Sequence, residues 1–433
     1  MARADVTYTV DTGSDRVDID TDDGICRTSV NTCSLRAAIM QANHRLAGGT
    51  ATIMLPAGFY ELARPINGDN GDLNLTQANT ANEFIAIVGA GAAVTIIDGN
   101  QLDGVFTIEP GRTAGIRGVT IRNGRRQGSG SGGGVKNRGT LVIADCTIQD
   151  NYTASGGGGI YNESLLSLVR TTIAGNTAQS NGGGIYSSGT LTVSASTIRG
   201  NFARANFGQG GGMYLSGAAS VRSSSVYQNA ANNGGGLLTI DQLTVVNSTI
   251  SSNRADLNGG GIFNFGNTFL YGTSVVGNDA DYDGPGNGIG GGVYADNTGG
   301  HRLVMVNTLV ASNTLRDLPI YNDCEGTVEV YGFNLLSDLA GCSFSGNGNA
   351  ARGVVARSTI DGLANNFGPT LTHALLPGSQ AIDATTTQGC IDNTGAVLAS
   401  DQRGAPRIAG GRGDVGAFEF GAVVDSIFRH GFE

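Results

Sequence analysis

Of the 26 basic residues in this 433-residue chain only one, Lys136, is a lysine, and 36 aspartates and glutamates leave a net charge of −10. That acidic surplus argues against general nucleic-acid binding, which needs basic surface to displace counterions. No run approaches the roughly 18 to 20 consecutive apolar residues that a membrane-spanning helix requires. The roughly 3.6-residue period of an amphipathic helix is missing from the middle of the chain, which excludes leucine-rich and ankyrin-type arrays. The four histidines (His44, His301, His373 and His430) are scattered, with no metal-ligand spacing and no nucleophile triad. Wholesale disorder is disfavoured as well, because 39% of the residues are hydrophobic, enough to build a core.

What the chain has in excess is glycine, 71 residues, and much of it is periodic. A Gly-Gly-Gly-aliphatic motif begins at Gly132, Gly157, Gly182, Gly210, Gly234, Gly259 and Gly290, at spacings of 25, 25, 28, 24, 25 and 31 residues. Between these motifs lies a second segment ending in asparagine, at Asn151, Asn176, Asn201, Asn229, Asn253 and Asn278. A fixed period of this size marks a solenoid. Within each repeat the period is two: Leu141, Ile143 and Ile148 alternate with Val142, Ala144 and Thr147, the pattern of short strands. The fold class that follows is all-β, a right-handed parallel β-helix of roughly 10 to 12 rungs stacked about 4.8 Å apart. Glycines supply turn conformations closed to other residues, and the asparagines are expected to form an inward ladder that satisfies turn backbone groups.

A bare solenoid end exposes a sheet edge and the core, so both ends need covers. Residues 34–46 are the clearest helix, with Leu35, Ala38, Ile39, Ala42 and Leu46 on one apolar stripe and Ser34 placed to cap its start. The expected organisation is one cooperative domain over residues 1–433, with an N-terminal cap (1–52), rungs (53–345) and an irregular C-terminal cap (346–433). Six cysteines point to an oxidising compartment by their placement. Cys26 with Cys33, and Cys324 with Cys342, bracket polar loops and read as local disulfides. Cys146 and Cys390 are either free, buried thiols or a long-range pair. Ala2-Arg3-Ala4 before Asp5 resembles the tail of a small-residue cleavage site, so the expectation is a mature or recombinant form of an exported protein.

Cys33-Ser-Leu-Arg-Ala-Ala-Ile39, with Asp22-Asp23-Gly24 and Cys26 upstream, resembles the CSLREA motif that opens many secreted bacterial β-helix proteins. Ala37 stands where that motif has glutamate, which removes half of a capping box. Gly71-Asp72-Leu73 and the Gly-Gly-Gly-Ile-Tyr-Asn rungs match the same group. Ser379-Gln-Ala-Ile-Asp383, Asp401-Gln-Arg-Gly404 and Asp414-Val-Gly-Ala-Phe-Glu419 resemble its choice-of-anchor Q region. Relatives often carry a cysteine before that last aspartate; Gly413 here would leave Cys390 unpaired. The resemblance implies the pectate-lyase-like fold and export, and it carries no settled activity. The tail Ile427-Phe428-Arg-His-Gly-Phe432-Glu433 resembles a short ending of exported proteins in some Gram-negative bacteria.

Three features can carry chemistry. The residue after each inward aliphatic is Lys136, Tyr161, Tyr186, Tyr214, Leu238, Phe263 and Tyr294; alternation puts these side chains outside in one column. Such a column either stabilises the sheet by cross-rung stacking or offers aromatic surface to sugar rings. Next, Arg112, Arg117, Arg122, Arg125, Arg126, Lys136 and Arg138 fall in a stretch without Asp or Glu, a patch suited to carboxylated or sulfated glycan. A lyase would use it: Lys136, or Tyr161, as base, and Arg122 or Arg138 to neutralise a uronate carboxylate. Finally, Asp279, Asp281 and Asp283 with Gly284, and Asp18, Asp20, Asp22 and Asp23 with Gly24, begin like calcium loops. Asp145, Asp150 and Glu163 are candidates for a glycosidase pair.

The leading expectation is an extracellular protein that contacts polysaccharide or cell-surface glycan, Tyr161, Tyr186, Tyr214, Phe263, Tyr294, Arg125 and Arg126 forming its lateral aromatic and basic face. A polysaccharide lyase or glycosidase acting on an acidic glycan is one alternative, and a protein-binding adhesin or scaffold is another. No organic cofactor is expected, and Ca²⁺ would be the metal at Asp279, Asp281 and Asp283.

Overall fold

The structure is a computed structural model that describes residues 5–44, 49–63, 71–76, 83–204, 207–282, 286, 288–316, 320–346, 349–353 and 359–424. It divides into two compact units, Met1–Thr192 with Asn201–Ala205, and Val193–Gly200 with Asn206–Glu433. Both are built from a parallel β-solenoid, right-handed as expected, with about nine regular turns in all. The expected rungs at either extreme lack the short third-sheet strand that completes a regular turn.

One turn of the first unit shows the plan. It runs through Val135–Asn137, Thr140–Ala144, Thr147–Gln149 and Tyr152–Thr153. Each strand pairs in parallel with its counterpart one turn on, Ile160–Asn162, Leu165–Val169, Thr172–Ala174 and Thr177–Ala178, without slip. The first two strands of a turn lie in one sheet, the third in a second sheet and the fourth in a third. Leu141, Ile143 and Ile148 are buried while Val142 is exposed, so the period of two in the sequence is the inward–outward alternation of the strands. At the corners the chain adopts left-handed backbone, at Asp145 (φ 54°), Asp150 (φ 56°) and Gly157 (φ 72°). At Gly157 a side chain would collide with the carbonyl of Ile160, which is why that corner is glycine in every repeat of the motif.

Inside the first unit the asparagine ladder forms as expected. The Nδ2 of Asn151 donates to Oδ1 of Asn176 (2.9 Å), and that of Asn176 to Oδ1 of Asn201 (3.0 Å). Each amide also donates to a main-chain carbonyl one turn back, Ile121, Ile148 and Ile173 in order. The second unit repeats this from Asn229 through Asn253 and Asn278 to Asn313. There Asn313 donates to Oδ1 of Asp323 (2.9 Å), whose other oxygen accepts from Ser337 and Asp338.

The N-terminal helix spans Leu35–His44; Leu46 lies outside the described residues. Ser34 caps it, its Oγ accepting the Ala37 amide at 3.1 Å, and Cys26–Cys33 closes the preceding loop. Arg36 fixes the helix to the first unit: it pairs with Asp15 and donates to the carbonyls of Gly71 and Asp72. The motif residues 33–39 and 71–73 therefore meet in one contact that secures the lid.

The C-terminal region differs from a simple end cap. Described residues 359–424 lie along the side of the second unit, over its second-sheet strands. Outward residues there are small and hydroxylated, and the segment satisfies them: Ser225 donates to the Leu371 carbonyl, Thr249 to Gln402, and Ser274 accepts from the Ala417 amide. Leu309, Ala311, Leu335, Leu375, Ala381, Val415 and Phe418 form the apolar seam beneath. The segment is held by buried carboxylates from its own motifs. Asp401 accepts the amides of Arg403, Ala405 and Glu419, and Glu419 those of Ala409 and Asp414.

Burial pushes the Glu419 carboxyl up to about 7. A raised carboxyl pKa means the folded state holds a proton that the unfolded chain releases near its ordinary value of about 4.5. Its stabilising contribution is then complete below about pH 4.5 and lost as pH rises through about 7. Buried His373, whose pKa is lowered by desolvation, acts oppositely below its unfolded value, so a comparison isolates Glu419 better than the wild-type curve does. We expect Glu419→Gln, which cannot ionise, to gain stability relative to wild type between pH 4.5 and 8, by at most about 3 kcal/mol. Urea unfolding across that range checks it, and a pH-independent difference would contradict it.

Candidate functional site

The outward column exists within each unit. In the first, Thr107, Lys136, Tyr161 and Tyr186 are partners in register. The rings of Tyr161 and Tyr186 stack at 4.7 Å with 11° between their planes. Stacked this way, their facing π surfaces are occupied by each other. The glycine loop of the preceding turn adds cover: a Cβ on Gly156 would lie 3.3 Å from the Tyr186 ring. In the second unit Tyr214 and Leu238 are buried, at 9% and 2% exposure, and Phe263 and Tyr294 are tilted together at 4.8 Å. Desolvation raises the Tyr161 phenol pKa, with Tyr186 and Glu163 adding to it, which sets it further from use as a base.

The run of seven cations is largely neutralised, because neighbouring turns supply the acids that its own sequence lacks. Arg112 meets Glu83, Arg117 meets Asp145, Arg122 meets Asp98, and Arg126 meets Asp72 and Asp103. Arg138 bridges Glu109 (3.1 Å) and Glu163 (3.3 Å). Among the described residues only Lys136 and Arg125 of the seven have no carboxylate partner. The lyase set is brought together only in part: Lys136 lies on the strand Val135–Asn137 and Arg138 in the turn directly after it, while Arg122 belongs to the second sheet.

Arg125 leads to a surface that periodicity alone did not reveal. On the third sheet of the first unit Arg125, Tyr152, Thr177 and Phe202 are in register over four turns. The Arg125 guanidinium lies 4.8 Å from the centre of the Tyr152 ring, a cation–π contact. Phe202 is 43% exposed, and Thr177 separates it from Tyr152, so the two rings do not stack on each other. A second row, Gln127, Ala154, Gln179 and Arg204, runs beside the first; the main chains of 154, 179 and 204 each donate to the turn before. Neither Arg125 nor Arg204 has a carboxylate partner among the described residues, and neither row contains an acid. The sequence signal for Tyr152 and Phe202 was their position directly after ladder asparagines 151 and 201.

The described carboxylate candidates are each engaged by other groups of the protein. Asp145 is held by Arg170 and Arg117, and the Arg170 hydrogen bond keeps its pKa low; Asp150 accepts from Gln149, and Glu163 pairs with Arg138. Asp279 accepts from Thr314, and Asp281 takes the amides of Gly286 and Gly288 and the guanidinium of Arg316; Asp283 and Gly284 lie outside the described residues. Asp18 and Asp23 accept main-chain amides and Gln41 of the lid, and Asp22 pairs with His44. No group of three or more His, Cys, Asp or Glu side chains stands in a metal-binding array among the described residues. Cys26–Cys33 and Cys324–Cys342 are disulfides, as expected, and Cys146 and Cys390 are free and buried. Residues 2–4 and 427–433, named above for export, lie outside the described residues.

If Tyr161 and Tyr186 act mainly on each other, a double-mutant cycle with alanine at both positions is expected to give a coupling of about 0.5–1.5 kcal/mol in urea unfolding. Strict additivity would contradict the stacking account.

No family model matches the chain, and no curated protein matches it. It is similar to the crystal structure of pectate lyase Pel9A, at 13% identity over 90% of this chain and 92% of that one, with a TM-score of 0.55. Weaker likenesses are to the A-modules of the Azotobacter vinelandii mannuronan C-5 epimerases AlgE4 and AlgE6, both at 14% identity over 74% of this chain and 92% of theirs. Their TM-scores are 0.37 and 0.29. The first likeness establishes the fold: a pectate-lyase-like, right-handed parallel β-helix.

Proposed function

We propose that the protein is an exported, polysaccharide-contacting solenoid, and that the outer face of the third sheet in its first unit is the contact surface. One observation carries this reading. Arg125 and Arg204, without a carboxylate partner among the described residues, flank Tyr152 and the exposed Phe202 in two rows that contain no acid. Sugar rings present C–H faces to aromatic rings, and guanidinium groups donate paired hydrogen bonds to carboxylates or sulfates. A polymer laid along the stack meets equivalent rungs every ~4.8 Å, so its repeat is read by repeated turns. The corresponding strand positions in the second unit are Ala230, Arg254, Asp279 and Thr314, so the fold itself does not demand this composition. Two disulfides support export to an oxidising compartment.

A lyase reading retains one observation in its favour: Lys136 has no carboxylate partner among the described residues and stands in register with Tyr161.

Affinity electrophoresis in gels containing polygalacturonate tests both. Retardation of the wild type is expected, weakened about tenfold by Tyr152→Ala with Phe202→Ala, with no unsaturated products. Migration indifferent to glycan would contradict the contact reading and leave a protein-binding scaffold. Absorbance from unsaturated product that vanishes in Lys136→Ala would replace it with the lyase.

A further inference from the structure

A second surface, in the second unit, has the opposite electrostatic character. Phe263 and Phe265 lie two residues apart around the buried Asn264, so both point outward from the same stretch. Phe263 packs on Tyr294 at 4.8 Å, and Phe265, 40% exposed, meets the His301 ring at 5.6 Å and 36°. Four rings thus line one patch. Its charged neighbours are acids. Glu325 is the in-register partner of Tyr294 on the next turn, and Asp296 follows Tyr294 by two residues. Arg302, directly before the strand that follows, is bound to Glu329 through both oxygens. Asp296 accepts a single main-chain bond, from Thr298, and no ion pair involves Asp296 or Glu325 among the described residues. Both carboxylates act on the Tyr294 phenol, whose pKa is raised first by desolvation and then by each of them.

We infer that this patch binds an amine-bearing sugar, the ammonium seated between Glu325, Asp296 and the ring faces, and the sugar ring resting on Phe265. A cation gains from aromatic faces and from carboxylates together, whereas an anionic glycan would be repelled. The open, half-exposed rings favour a ring-shaped ligand over a compact quaternary ammonium, which is recognised inside a closed aromatic cage. This site is independent of the third-sheet face and of the ligand proposed for it.

The test uses the whole protein, isothermal titration calorimetry, and three probes: a glucosamine oligomer, its fully N-acetylated counterpart, and an oligolysine of equal charge. The glucosamine oligomer is expected to bind more tightly than the acetylated one. Asp296→Asn with Glu325→Gln should weaken it about fivefold and leave the acetylated oligomer unchanged. Phe265→Ala should weaken the glucosamine oligomer without affecting oligolysine. Equal binding of the two sugars, or an unaffected carboxylate variant, overturns the inference. Oligolysine binding that falls in parallel with sugar binding in Phe265→Ala overturns it too. Tyr152→Ala should leave these titrations unchanged, so failure here and failure of the third-sheet reading are separate results.

Discussion

The fold rests on buried amides that can be satisfied only by the turn next to them. In the first unit Asn176 and Asn201 each place Oδ1 against the main-chain N–H and side-chain Nδ2 of the asparagine one turn before, and Asn151 and Asn176 also place Nδ2 against a main-chain carbonyl, at 2.9–3.3 Å. An unpartnered buried amide costs about 1–3 kcal/mol, so a slip of one residue in a single turn would leave several polar groups stranded at once. Register is thereby fixed turn by turn, and outward residues some 25 positions apart become neighbours. The surfaces described here all derive from that constraint.

The same constraint explains why charge read along the chain misleads. Arg126 finds Asp72, 54 residues away, and Arg122 finds Asp98, 24 away. What counts as a basic stretch in one dimension is a set of ion pairs between turns. Exposed pairs such as Arg117–Asp145 contribute little each to stability, whereas Arg126–Asp72 and Arg112–Glu83 are buried; both kinds cancel the field that a glycan would sense. Arg125 and Arg204 stand out because no carboxylate among the described residues pairs with them; Asp103, on the turn beside Arg125, pairs with Arg126.

Much of this was legible in the sequence. The glycine period, the alternation of Leu141 and Ile143 with their neighbours, and the asparagine spacing specified the solenoid. Ser34 and the apolar stripe specified the lid, and loop lengths specified both disulfides. The third-sheet face was not legible, since strands of two residues such as Tyr152–Thr153 carry no periodicity. Nor was the path of residues 359–424, because Asp401, Arg403, Asp414 and Glu419 read as polar surface until their backbone partners are known. The residues that resemble known motifs serve here as fasteners: Arg36 on the carbonyls of Gly71 and Asp72, and Asp401 on Arg403 and Glu419.

The central claim is that a carboxylate-free cationic and aromatic face on the first unit is where polysaccharide rests. Arginine-selective labelling with phenylglyoxal, read peptide by peptide with and without polygalacturonate, addresses it directly. The account predicts that Arg125 and Arg204 lose reactivity when the polymer is present while Arg117 and Arg170, committed to Asp145, do not change. Protection confined to other arginines, or none at all, would contradict it.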